Sequence, residues 1–159
     1  MKFEEINNRL YNILLTKFPE ELKRVSNQEM CDIDSSFLGF VDTYYHLSKI
    51  IPKDWVVVDL GCAYAPQGYY FRNHIEYIGI NPEIRERFTF KNTKHLDMTI
   101  QEFMKEYKDK LNFNKTFAIM NYVPPWHDLD YKEVRSFFPN LYCFYPWIQW
   151  GQVAGGCKR

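Results

Sequence analysis

The chain has 159 residues, 46% of them hydrophobic, which predicts one globular domain rather than two. Its 20 basic and 20 acidic side chains cancel, so the composition offers no strong basic field of the kind that binds nucleic acid. Four cysteines without a Cys-x-x-Cys pair, and four scattered histidines, do not predict a metal site.

The N-terminus does not have the pattern of a secretory signal peptide, since an amphipathic segment with Glu4 and Glu5 begins the chain. No apolar run approaches the roughly 18 residues that a membrane-spanning helix needs. We therefore expect a cytoplasmic protein with reduced thiols and no membrane partner.

The first 52 residues predict a helical layer. Apolar residues at helical spacing indicate a helix over residues 2–17, and Pro19 begins a second over residues 19–25. Asp34 or Ser35 is the expected N-cap of a third helix, which ends before Pro52.

Residues 53–150 predict a Rossmann-like core, in which short apolar runs alternate with helical stretches. The strands are expected at residues 55–60, 77–80, 95–98, 117–120 and 141–145, and the helices at residues 66–73, 82–88, 100–111 and 131–138. This alternation favours an α/β domain with a mostly parallel sheet of about five strands and helices on both faces. Residues 151–159 contain three glycines and predict a flexible tail of the same single domain, residues 1–159.

Candidate ligand-binding residues follow the predicted strands. Asp59 and Gly61 end the first strand, Asn81 the second and Asp97 the third, and parallel sheets bind ligands beyond these carboxyl ends. A glycine there lets a ligand approach the backbone, and an aspartate accepts hydrogen bonds from an ammonium or hydroxyl group. Asn81 and Asp97 are equally well interpreted as caps of the helices that follow them.

The segments VVVDLGCAYAPQG, YIGINPE, HLDM and AIMNYVPPW resemble, in order and spacing, the first four motifs of class I S-adenosylmethionine (SAM)-dependent methyltransferases. The resemblance covers residues 55–126 and implies that SAM is the cofactor. It implies that Asp59 and Gly61, with Cys62 and Ala63 in the same turn, lie along the methionine portion. It also implies that Asn81 contacts the ribose and Asp97 the adenine.

The fourth motif concerns the methyl acceptor, whose identity the sequence does not indicate. Amino-methylating members carry Asn or Asp directly before Pro-Pro-aromatic, whereas here Val123 precedes Pro124 and Asn121 lies two residues earlier. By resemblance Asn121, Pro124 and Trp126 orient the acceptor. A structural loop is the alternative interpretation of the two prolines and the tryptophan.

A second hypothesis is a catalytically inactive Rossmann-like binding or interaction protein. Ala63 and Ala65 replace the second and third glycines of the first motif, and Asn81 is uncharged. Few residues follow Trp150, so we expect the usual last two strands to be missing and a second subunit to cover the sheet edge. A nicotinamide cofactor is a weaker candidate, since Ala63 and Pro66 occupy two glycine positions of its motif.

Overall fold

Five parallel strands form the centre of the fold. The computed structural model describes residues 2–27, 41–83, 86–121 and 130–144. The strands are β1 (Val56–Leu60), β2 (Glu76–Ile80), β3 (Thr93–Leu96), β4 (Thr116–Asn121) and β5 (Leu141–Phe144). They lie in the order β3-β2-β1-β4-β5, and every neighbouring pair is parallel. The predicted Rossmann-like α/β architecture is confirmed.

Helices cover both faces of this sheet. They are α1 (Phe3–Lys17), α2 (Pro19–Ser26), α3 (Val41–Ile50), a 3-10 helix (Pro66–Phe71), α4 (Ile100–Tyr107), a 3-10 turn (Phe113–Lys115) and α5 (Tyr131–Phe137). The predicted helical layer before β1 is confirmed for α1, α2 and α3. The proposed caps Asp34 and Ser35 lie outside the described residues.

The alternation of side chains along the strands divides the core into two faces. Val58 and Leu60 point towards α4 and α5, where Phe103 and Phe138 are fully buried. Val57, the second residue of β1, points to the opposite face, towards α3 and the 3-10 helix. Asp59 shares that second face because side chains of a strand alternate. A charged residue therefore lies in a layer that is otherwise aromatic and aliphatic.

The helix predicted over residues 82–88 is wrong for the part that the structure describes, residues 82–83 and 86–88. Tertiary contacts fix this segment instead: the Phe88 amide donates to the Tyr64 carbonyl at 2.9 Å, and the Phe88 ring is fully buried.

The interpretation of Asp97 as the N-cap of the next helix is also wrong. Thr99 caps α4, in a reciprocal capping box with Glu102.

The cysteines differ in state. Cys62 is a buried thiol, whereas Cys143 takes part in a disulfide, so the expectation that all thiols are reduced is wrong for Cys143.

Among the helices of the described segments, none combines the length and apolar character needed to cross a membrane.

Candidate ligand site at the carboxyl ends of β1 and β4

The strand order reverses between β1 and β4. The chain moves from β1 outward to β3, then returns across the sheet to β4, so β1 and β4 are neighbours that run into different loops. Leu60 pairs with Met120, which brings Gly61 and Asn121 to adjacent strand ends. Open parallel sheets bind ligands in the crevice that such a reversal creates.

The turn after β1 has the backbone of a glycine-rich turn. Gly61, Ala63 and Ala65 all have positive φ angles, of 89°, 51° and 59°. Only glycine adopts this left-handed region without a penalty, which for alanine is about 1–2 kcal/mol. Ala63 and Ala65 therefore adopt backbone conformations that glycine would adopt without strain.

Hydrogen bonds to β2 hold the start of this turn. The amides of Gly61 and Cys62 both donate to the Ile80 carbonyl, at 2.8 and 3.0 Å. The Ala65 amide donates to the Cys62 carbonyl at 3.0 Å, and Pro66 then begins the 3-10 helix. The strained conformation is thus fixed by the sheet on one side and a helix on the other.

Asp59 lies beneath this turn and is fully buried. The Tyr44 hydroxyl donates to Oδ1 at 3.0 Å, while the Tyr77 hydroxyl and the Gln67 amide donate to Oδ2 at 2.5 and 2.9 Å. Gln67 also donates to the Cys62 carbonyl at 3.0 Å, which ties the carboxylate to the turn. The Asp59 cluster, meaning Asp59, Tyr44, Gln67 and Tyr77, joins α3, β1, β2 and the 3-10 helix.

No positive charge compensates this carboxylate within the described part of the chain, because none of its Lys, Arg or His side chains pairs with Asp59. Burial raises the Asp59 pKa to about 6, against the lowering effect of the three donors. Burial and the nearby carboxylate also raise the pKa values of the Tyr44 and Tyr77 hydroxyls well above the usual range. Both hydroxyls therefore remain protonated donors at neutral pH.

Asn121 lies beside the cluster at the end of β4 and is only 6% exposed. Neither its Oδ1 nor its Nδ2 has a hydrogen-bond partner among the described residues. Asn121 follows Ile119, the register partner of Asp59, by two residues, so its side chain is on the Asp59 face of the sheet, and it lowers the pKa of Tyr44. A buried amide without partners costs about 1–3 kcal/mol, which a ligand group with matching polarity would offset.

Cys62 and His95 form a second polar contact below the turn. Their Sγ and Nδ1 atoms are 4.0 Å apart, and His95 Nε2 lies 2.8 Å from the Phe88 carbonyl. A carbonyl only accepts, so Nε2 carries the proton, and burial lowers the His95 pKa and favours the neutral ring. Nδ1 is then unprotonated and faces the Cys62 thiol, whose hydrogen bond is donated to the Ala63 carbonyl at 3.8 Å.

Gly79 makes room for this contact. A Cβ at position 79 would lie 2.7 Å from His95 Nδ1 and 2.9 Å from Cys62 Sγ. Asp59, Gly79 and His95 are register partners in three neighbouring strands, so they share one face of the sheet. The thiol fills the space above the glycine in that row.

Asn81 and Asp97, at the ends of β2 and β3, both make contacts within the protein. The Asn81 side chain donates to the Glu83 carbonyl at 3.2 Å, so it stabilises a turn and does not cap a helix. Asp97 forms an ion pair with Arg87 at 2.6 Å, and the Arg87 side chain is 6% exposed against 43% for Asp97. Both residues lie at the predicted edge, and Asp97 is the one that faces solvent.

The structure brings together Asp59, Gly61, Cys62, Ala63 and Asn121 from the sequence-predicted set. Asn81 and Asp97 lie further along the same edge, at β2 and β3. Pro124 and Trp126 lie outside the described residues. Four further polar residues contact the turn or Asp59 and were not predicted: Tyr44, Gln67, Tyr77 and His95.

Comparison of the chain with known protein families, with curated proteins and with solved structures finds no match. Within the described residues, a carboxylate that no cation pairs with, an amide that lacks hydrogen-bond partners and a left-handed turn meet at the strand reversal. In the described segments no group of three or more His, Cys, Asp or Glu side chains is arranged to hold a metal ion.

Proposed function

We propose that this protein binds S-adenosylmethionine at the carboxyl ends of β1 and β4 and is a SAM-dependent methyltransferase-like protein. The observation that carries the proposal is the buried Asp59 carboxylate, which has three neutral donors and no cation in the described residues, next to the partnerless amide of Asn121. SAM bears an ammonium and a sulfonium group, and either would supply the missing positive charge.

The turn at residues 61–65 supports the same ligand class. Its left-handed residues bring the backbone, rather than long side chains, to the strand end, as a close-fitting nucleotide ligand requires. The methyl-transferring chemistry belongs to the cofactor. The chain's part is to bind and orient, with Asp59 and the turn on the methionine portion and Asn121 towards the acceptor.

Asn81 and Asp97 are proposed to contact the ribose and the adenine. Asn81 offers Oδ1 to a ribose hydroxyl, because its present bond uses only Nδ2. Asp97 is 43% exposed, so it can accept from an adenine amino group while Arg87 holds its other oxygen. Pro124 and Trp126 remain proposed acceptor contacts by resemblance, and the acceptor itself is unknown.

A catalytically inactive binding or interaction protein is the second candidate. Its favouring observation is that the three donors already satisfy both Asp59 oxygens and leave the carboxylate 0% exposed. In this version the Asp59 cluster stabilises the packing of α3 on the sheet, and the domain acts through a partner that covers a sheet edge, including a second copy of the chain.

Titration calorimetry with SAM and with its demethylated product, S-adenosylhomocysteine, separates the candidates. The first predicts saturable binding that Asn121→Leu weakens, while Asn140→Leu, a change far from the strand reversal, leaves it intact. Absence of binding of either compound at millimolar concentration removes the SAM proposal. Binding without methyl transfer to protein, nucleic acid or small-molecule acceptors favours the second candidate.

We also propose a cytoplasmic location, as expected from the composition of the chain. Fractionation of the native cells tests this. Recovery in the membrane or secreted fraction contradicts it.

A further inference from the structure

The two oxygens of Asp59 are held unequally. Oδ2 accepts two hydrogen bonds, from the Tyr77 hydroxyl at 2.5 Å and the Gln67 amide at 2.9 Å. From the described part of the chain, Oδ1 accepts a single bond, from the Tyr44 hydroxyl at 3.0 Å. Departure of the Tyr44 hydroxyl therefore frees Oδ1, whereas two donors would have to leave to free Oδ2.

The donors to Oδ2 are built into the sheet and the turn. Tyr77 is a residue of β2, an interior strand of the sheet, and its ring stacks on Phe71 with centroids 5.5 Å apart. Gln67 is held by a second bond to the Cys62 carbonyl at 3.0 Å. Moving either residue disrupts the frame of the site.

Tyr44 differs because it belongs to α3, a surface helix that packs on the sheet without strand pairing. Its hydroxyl donates to Asp59 Oδ1 at 3.0 Å, and its ring packs in a cluster with Leu47 of the same helix and with Ile51 just after the helix. α3 packs on the 3-10 helix and on α1, so withdrawal of Tyr44 requires α3 to shift against these two helices but breaks no strand pairing.

Asn121 lies on the Asp59 face of the sheet, because it follows Ile119, the register partner of Asp59, by two residues, and Tyr44 packs in the same cluster as Ile119. The Asn121 side chain is buried, and neither amide atom has a hydrogen-bond partner of accepted geometry among the described residues. The space that the phenol now fills is thus bordered by the Asp59 carboxylate and an unsatisfied amide. Both favour a cationic, hydrogen-bonding occupant over a neutral phenol.

We propose that Tyr44 is a displaceable plug, whose hydroxyl occupies the cation subsite on Asp59 Oδ1 until a ligand with an ammonium or sulfonium group replaces it and shifts α3. The plug accounts for a buried carboxylate that is satisfied by neutral donors yet has no counter-charge. For SAM as the ligand it rests on the proposed function. The subsite itself is defined by charge and takes other ligands of the same class.

The test compares the wild type with Tyr44→Phe, which keeps the ring and removes the hydroxyl. Phenylalanine leaves Oδ1 without a donor in the ligand-free protein, so a cation recovers more on binding. We expect the Kd for SAM to fall about tenfold, the scale of a hydrogen bond to a charged group. Hydrogen exchange of the amides in Val41–Ile50 should become faster when SAM binds the wild type, because α3 shifts.

Tyr70→Phe is the matched control. The Tyr70 ring packs against α3 through Tyr45, with centroids 5.6 Å apart, but its hydroxyl does not bond Asp59. Loosened packing of α3 would affect both variants, whereas loss of the plug affects only Tyr44→Phe. An equal gain in affinity in the two variants overturns the proposal.

A second probe, S-methylmethionine, carries the ammonium and the sulfonium without adenosine. If SAM binds and Tyr44→Phe binds it no more tightly, the plug is wrong and the proposed function stands. If SAM binds neither protein but S-methylmethionine binds Tyr44→Phe more tightly than the wild type, the plug stands and the proposed function fails. If neither compound binds either protein at millimolar concentration, both are wrong.

Discussion

Ala63 and Ala65 lie two positions apart in one turn and share a left-handed backbone, with φ angles of 51° and 59°. Gly61, two positions before Ala63, also has a positive φ angle, of 89°. Of these three alternating positions, only the first carries glycine, the residue type that this conformation favours. The turn therefore stores strain beside the candidate ligand site, and the surrounding bonds to Ile80 and Cys62 maintain it.

Replacing Ala63 with glycine should stabilise the protein. Relief of about 1–2 kcal/mol of left-handed strain exceeds the entropy cost of glycine, so a net gain of about 0.5–1 kcal/mol is expected in urea denaturation. Ala65→Gly should gain less, because the Ala65 methyl is fully buried and its loss removes about 0.8 kcal/mol. Ala118→Gly, in an ordinary position of β4, should be destabilising. Destabilisation by Ala63→Gly would show that the turn is not strained.

Gly79→Ala should destabilise the fold by about 1–3 kcal/mol, since the new methyl would overlap His95 and Cys62 at 2.7–2.9 Å. Gly68→Ala is the matched comparison: its Cβ would meet Phe90 and Tyr77 at 3.5 Å, an ordinary contact. We expect Gly68→Ala to be neutral or slightly stabilising in thermal melts. Equal effects of the two substitutions would contradict the described packing of the thiol over β2.

Asp59 should make stability depend on pH. Its pKa of about 6 in the folded protein exceeds the ordinary value of 3.8, so the folded state binds this proton more tightly. The resulting stabilisation is complete below about pH 4 and is lost as the pH rises through about 6, a change of about 3 kcal/mol.

Denaturation of the wild type and Asp59→Asn across pH 4–8 measures this effect. The free energy of unfolding of the wild type should fall relative to that of Asp59→Asn as the pH rises through 6. His74 and His95 are present in both proteins, so their own lowered pKa values cancel in the difference. Parallel curves would mean that Asp59 titrates at an ordinary pKa.

Asn121→Leu should stabilise the protein by about 1–2 kcal/mol, because it removes a buried amide whose two polar atoms lack partners in the described residues. The matched substitution, Asn140→Leu, should be destabilising, since the Asn140 amide donates to the Phe113 and Thr116 carbonyls at 3.3 and 3.4 Å. Urea midpoints distinguish the two. A loss of stability in Asn121→Leu would show that this amide is satisfied in solution.

Ligand affinity should also follow the Asp59 proton. A cationic group binds the carboxylate and not the carboxylic acid, so the Kd for SAM should fall as pH rises from 5 to 7 and level off above that range. Asp59→Asn should bind weakly, without this dependence. Calorimetry in buffers of different ionisation enthalpy would detect the proton released near pH 6, and a pH-independent Kd would exclude Asp59 from the binding step.

The strands were predictable because three valines followed by Asp-Leu-Gly form an apolar run with a clear end, and the same holds for residues 77–80. The helix predicted at residues 82–88 failed because the buried Phe88 and its bond to Tyr64 fix that segment from elsewhere in the fold. Local patterns do not contain such contacts.

The candidate site was predictable where residues end strands and not where distant elements contribute. Asp59, Gly61 and Asn121 could be placed from strand ends alone. Tyr44 reaches Asp59 from a helix 15 residues earlier, and nothing in its apolar stripe distinguishes it from a core aromatic residue. Tyr77 was nearer to prediction, since β1–β2 register with period-two alternation places it on the Asp59 face.

The most direct test of the account is a crystal structure of the protein with SAM. We expect the ligand at the carboxyl ends of β1 and β4, with a cationic group within hydrogen-bonding distance of Asp59 Oδ1. The Tyr44 hydroxyl should be withdrawn and the Asn121 amide hydrogen-bonded to the ligand. SAM located elsewhere on the protein, or an unchanged Tyr44–Asp59 contact with SAM fully bound, would contradict it.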